Sequence, residues 1–133
     1  MMTDDLNKST ERTLAIRVIA MPADTNPGGD IFGGWIMSQV DLAAGVVAGR
    51  RARGRAVTVA VKSFEFKQPV FVGDLVSFYG HVTNVGTTSI TVRIEAYAQR
   101  TTTDDDGVKV TEAELTFVAV DDRGRPRKVP GDC

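Results

Sequence analysis

Histidine and cysteine are almost absent, with one of each in 133 residues. Cys133 is the last residue, which excludes an internal disulfide, a Cys–His nucleophile pair and a cysteine metal cluster. His81 lies in a segment that reads as a strand, so a Ser-His-Asp triad would need that one imidazole as its base. No apolar run approaches the ~20 residues needed to span a bilayer. An excess of either charge is also missing. Sixteen Lys and Arg face 17 Asp and Glu, and a net charge of −1 gives no global attraction to nucleic acid or an anionic membrane. The opening MMTDDLNKSTER lacks the apolar core of a signal peptide and the basic, acid-poor character of a transit peptide. A cytoplasmic location is expected. Chemistry must then run on carboxylates, amides and backbone dipoles, with no metal and no cofactor.

What is present fits one domain, long enough to bury a core. Residues 1–11 form a polar segment expected to be disordered, and 12–130 a single domain. From Arg12 the chain alternates, with Leu14, Ile16, Val18 and Ala20 on one parity, which predicts a strand. MPADTNPGGD is loop chemistry. IFGGWIMSQVDLAAGVVAGRRARG carries the only helical pattern, with Ile36, Val40, Ala43, Ala44 and Val47 in register. Gly49 and the arginines Arg50, Arg51 and Arg53 suit its C-terminal end. The opposite face, Gly34, Ser38, Asp41 and Gly45 with Met37 alongside, carries no full set of charges, so the helix is expected to be buried on nearly all sides.

Four strands follow. The first groups Val57, Val59 and Val61, then flips parity to Phe64 and Phe66, as a β-bulge does. The others alternate through Val76, Phe78 and Val82, then Ile90, Val92, Ile94 and Ala96, then Ala113, Leu115, Phe117 and Ala119. Asn84–Gly86, Asp104–Gly107 and Asp122–Gly124 supply turns. The order is strand, long helix, four strands. A ferredoxin-like sandwich would need two helices, so the class is α+β, with one long central helix wrapped by a five-stranded antiparallel sheet. Either strong wrapping or a second subunit must complete the burial of that helix.

The stretch from Asn26 to Asp41 carries the chemistry. Gly33 and Gly34 open the helix, where backbone N–H groups lack intrahelical partners and the dipole is positive. They suit an oxyanion hole, or equally a tight strand-to-helix turn. Asp41 follows Gly34 by two turns, and no lysine or arginine shares its helix face. It is a candidate general base or nucleophile, or else a structural acid paired across an interface. Asn26 can hold a water or polarise a carbonyl, or simply close an Asx-turn. The basic clusters Arg50, Arg51, Arg53, Arg55 and Arg123, Arg125, Arg127, Lys128 suit phosphate, or complement the helix end and a solvated tail. Gly86-Thr87-Thr88-Ser89 offers hydroxyls and N–H groups to a ligand, or is only a hairpin turn.

MPADTNPGGDIFGGWIMSQVDLAAG, with FKQPVFVGD, GTTSITV and TEAELTFVAVDDRGRPRKVP, resembles the hotdog-fold acyl-CoA thioesterases, most closely the YciA-like branch. The resemblance covers nearly the whole chain. It implies a hotdog fold, dimers with continuous sheets and shared active sites, a trimer of dimers, and hydrolysis of acyl-CoA to a free acid and coenzyme A. The implied catalytic residues are Asp41, with Asn26 from a different subunit, and Gly34 as oxyanion donor. Gly33, Trp35, Met37, Ser38, Thr87, Thr88, Ser89, Arg50 and Arg53 are candidates for binding substrate, although Trp35 and Met37 serve equally as core packing. Alternatives are a hydratase or dehydratase acting on acyl thioesters, or a non-catalytic acyl-CoA-binding module.

Overall fold

The computed structural model describes residues 12–100 and 107–131. The N-terminal segment 1–11, the acidic turn at 104–106 and Cys133 lie outside the described residues. Five strands, β1 (Thr13–Ile19), β2 (Ala56–Phe66), β3 (Asp74–Val85), β4 (Ser89–Arg100) and β5 (Val108–Ala119), form one sheet in the order β1-β3-β4-β5-β2. Every pairing is antiparallel. The helix α1 (Gly33–Ala52) packs across the sheet and meets all five strands.

The alternating sets on β3, β4 and β5 fall on the helix side as the sequence predicts. Val76, Phe78, Ile90, Val92, Ile94, Ala96, Ala113, Leu115, Phe117 and Ala119 are all buried there against Ile36, Val40, Ala43, Ala44, Val47 and Ala48. Gly80 lets α1 approach, since a Cβ there would stand 2.6 Å from Ile94 Cδ1 and 3.0 Å from Val47 Cγ2. His81 stands opposite Arg93, whose guanidinium pairs with Glu112 on the solvent face of the sheet. Cross-strand partners share a face. The imidazole therefore points away from α1 and from the residues at its start.

Two parity readings need correction. Register shifts between Leu14 and Ile16, so Ala15 packs on the core and Leu14 is exposed. In β2 the shift at Val61/Ser63 matches the expected flip, but a second shift at Thr58/Ala60 splits the Val57, Val59, Val61 set. Val57 stands opposite Val118, whereas Thr58 faces Phe117 and Val61 faces Leu115. Phe117 and Leu115 are core residues, so Thr58 and Val61 lie on the helix side. The helix is also less enclosed than expected within one chain. Met37, Leu42 and Val46 stay exposed, as do Val57, Val59 and Val61 along the edge strand β2.

The far end of α1 is clasped by the C-terminal segment. Arg53 adopts a left-handed conformation at the C-cap (φ 56°), where glycine is commoner. Arg127 donates from Nη2 to the Ala52 carbonyl (2.8 Å) and from Nε to the Val120 carbonyl (3.0 Å). Its guanidinium fills the place that a Cβ on Gly54 would take, 2.8 Å away. Arg51 donates to the Pro130 carbonyl, and Val129 N–H to the Thr87 carbonyl. Arg127 thus caps a helix terminus and does not belong to a solvated tail. Arg127→Ala should cost about 1–3 kcal/mol of unfolding free energy in urea, because the Ala52 carbonyl loses its charged donor.

Candidate active site

The loop before α1 is built around Asn26. Its Oδ1 accepts the N–H groups of Gly28 (2.9 Å) and Asp30 (3.2 Å), while its backbone N–H donates to the Asp30 carbonyl. Gly29 takes the positive φ (94°) that this turn requires. The Asx-turn anticipated as the simpler reading is therefore present. Two donors on one atom also fix the amide's orientation, so the NH₂ group is the end left for a ligand. Asn26 shares a cavity of about 300 Å³ with Gly33 and Phe66.

The helix begins without a side-chain cap. Phe32 occupies the N-cap, and its carbonyl accepts from Trp35 (3.0 Å) and Ile36 (3.4 Å). The N–H groups of Gly33 and Gly34 precede these bonds and have no backbone acceptor among the described residues. Gly34 is exposed, and the positive end of the helix dipole opens to solvent there.

Asp41 is exposed on the helix face that carries Gly34, Ser38 and Met37. Its Oδ1 accepts a 2.6 Å hydrogen bond from Thr58 Oγ1, and it forms no ion pair among the described residues. The contrast with Asp74 is informative. That carboxylate is 1% exposed, bonded to the Phe71 N–H and paired with Arg100, a structural acid by every measure. Asp41 is neither dry nor neutralised by a cation. Thr58 was not anticipated, because in AVTVAV it reads as the solvent side of an alternating strand. Only the bulge beside it turns the hydroxyl toward α1.

The remaining candidates separate. Ser38 is satisfied by the Trp35 carbonyl (2.8 Å). Trp35 packs on the core and also lines a cavity with Gly34. Met37, at 44% exposure, is not core packing within one chain. Arg50 and Arg53 are exposed at the other end of α1, 16 residues from Gly34 to Arg50, about 24 Å along the axis. Thr87, Thr88 and Ser89 lie at that same end, where Thr87 and Thr88 carbonyls anchor Val129 and Ala119. Among the described residues, no three His, Cys, Asp or Glu side chains gather as metal ligands.

A family model described as the thioesterase superfamily matches residues 28–104. The acyl-CoA thioester hydrolase YciA of Escherichia coli is 46% identical over 119 residues, covering 88% of this chain and 90% of its own. Among solved structures, the hexameric broad-specificity acyl-coenzyme A thioesterase HI0827, as an aspartate-to-alanine mutant, superposes with a TM-score of 0.87 at 45% identity. That match covers 92% of this chain and 89% of the other. A hexameric thioesterase from Yersinia pestis gives 0.85 at 46%, covering 90% and 97%. With sequence and fold agreeing over nearly all of its length, the chain belongs to the thioesterase superfamily, in the hotdog-fold branch of YciA-like acyl-CoA thioester hydrolases.

Proposed function

We infer that the chain hydrolyses acyl-CoA thioesters through a water activated by Asp41. The observation that carries this reading is the state of that carboxylate: exposed, free of any ion pair among the described residues and oriented by Thr58. The thioester carbonyl points at the helix start, and the Gly34 N–H stabilises the negative charge that develops on its oxygen. Asp41 removes a proton from water as that water attacks the carbonyl carbon. The tetrahedral intermediate collapses, the C–S bond breaks, and coenzyme A leaves as the thiolate.

Asn26 acts as a donor in this reading. With Oδ1 occupied by the loop, the NH₂ group adds a second hydrogen bond to the carbonyl oxygen. Asn26 shares a cavity with Gly33, and Asp41 lines neither of the cavities at the helix start. That separation, which holds for Gly34 as for Asn26, favours a site that pairs Asp41 of one copy with the Asn26 loop and helix start of a second. The edge strand β2 supports the same arrangement. It is 11 residues long, and its exposed Val57, Val59 and Val61 make it a template for pairing. Joining β2 of two copies would continue the sheet and cover Met37, Leu42 and Val46. Three such dimers would make the hexamer found in the similar structures. The exposed Arg50 and Arg53, with Thr87, Thr88 and Ser89, are the groups we assign to the distal phosphates of coenzyme A. The reading sets the enzyme in the cytoplasm and uses no cofactor beyond its own side chains.

Thiol release from acyl-CoA by the purified protein, followed with a thiol-trapping dye, tests the reaction. Hydrated product without free thiol would indicate a hydratase, and binding without turnover a binding module. Thr58→Val should lower kcat by about tenfold, the worth of one hydrogen bond to a charged group, with the fold unchanged. An unaltered kcat would mean that Asp41 needs no such orientation.

A further inference from the structure

The two glycines at the start of α1 lie between two exposed phenylalanine rings. A Cβ on Gly34 would stand 2.9 Å from Cε2 and 3.3 Å from Cδ2 of Phe32, and one on Gly33 would stand 3.7 Å from Cζ of Phe66. Phe32 is 54% exposed and Phe66 52%. The flanks differ in chemistry. Beside Phe66 the wall includes Asn26, Asp30, Lys67 and Gln68. Beside Phe32 it is a cavity of about 480 Å³ formed with Ala23, Asp24, Thr25, Gly34 and Trp35.

The backbone of Phe32 is fixed at both ends. Its N–H donates to the Asp24 carbonyl (2.7 Å), and its carbonyl accepts from Trp35 and Ile36. An aromatic residue at an N-cap provides no capping bond, so local helix stability does not explain its presence. The ring alone is held by no bond, and more than half of the residue is exposed in the single chain. Trp35, packed against the core, is by contrast a fixed wall.

The geometry points to Phe32 as a determinant of acyl-chain length, its ring forming a displaceable wall of the cavity that Gly34 and Trp35 also line. This rests on the hydrolase reading above. An acyl group whose carbonyl oxygen meets the Gly34 N–H starts its chain against this ring. With the ring 2.9 Å from where a Cβ on Gly34 would stand, no further carbon fits against the helix there unless the ring shifts. Short chains reach only the near edge of the ring, whereas longer ones must displace it to settle in the cavity.

The test is the ratio of kcat/KM for octanoyl-CoA to that for butyryl-CoA, in wild type, Phe32→Ala and Phe32→Trp. Removing the ring should raise the ratio by about tenfold, and enlarging it should lower the ratio, within the range that a few methylenes command in an apolar pocket. Thermal unfolding of each variant shows that it is folded. A ratio within about twofold of wild type in both variants, with wild type active, would overturn the role of Phe32 alone. Absence of thiol release by wild type, or full activity in Asp41→Asn, would overturn the hydrolase reading instead.

Discussion

Asp41→Asn should lower kcat for acyl-CoA hydrolysis by about 10²–10⁴-fold, the usual contribution of a general base. Asparagine keeps an oxygen where Thr58 donates, so the hydroxyl bond and the local geometry survive. What disappears is the basic lone pair. Affinity for coenzyme A should change little, because the carboxylate meets the attacking water and not the leaving group. Steady-state thiol release together with calorimetric titration of coenzyme A separates the two quantities. Turnover at the wild-type rate would take Asp41 out of the mechanism.

Asn26→Asp should be nearly as damaging, with kcat down by about 10²–10³-fold, the cost of losing one oxyanion donor. Aspartate retains the acceptor that closes the loop onto the N–H groups of Gly28 and Asp30. It replaces the NH₂ donor with a carboxylate oxygen, which repels the developing oxyanion. Asn26→Ala removes both functions, so its unfolding temperature should fall as well. A dead but stable Asn26→Asp beside a dead and less stable Asn26→Ala is the expected pattern. Equal activity of wild type and Asn26→Asp would leave the residue a loop-former only.

Legibility in the sequence followed the regularity of each element. The alternation on β3, β4 and β5 names the core correctly, because each strand is flanked on both sides and its register shifts, at Val82/Asn84 and Ala96/Tyr97, fall at the ends of the buried sets. The helix start was visible as a glycine pair, and its acid stood out by its lack of a cation on the same face. β2 was the least legible. Two register shifts in 11 residues reassign its faces, and single-sequence alternation cannot register a bulge between Thr58 and Ala60. The one residue bonded to Asp41 was hidden by that irregularity. Leu14 misled for the same reason on β1. Asn26 was ambiguous because its two readings use different ends of one amide: Oδ1 builds the loop, which leaves only the NH₂ group for the role proposed above.

The pairing of β2 with β5 also constrains how a newly made chain folds. Ala56 pairs with Ala119 and Phe66 with Thr111, so β2 can enter the sheet only after residues as far as 119 have left the ribosome. The hairpins joining β3, β4 and β5 close over much shorter loops and should form first. Until they do, a valine-rich segment with two unpaired edges waits in solution. Synthesis of this protein at high temperature or in large excess should therefore favour inclusion bodies, with β2 as the segment that nucleates them.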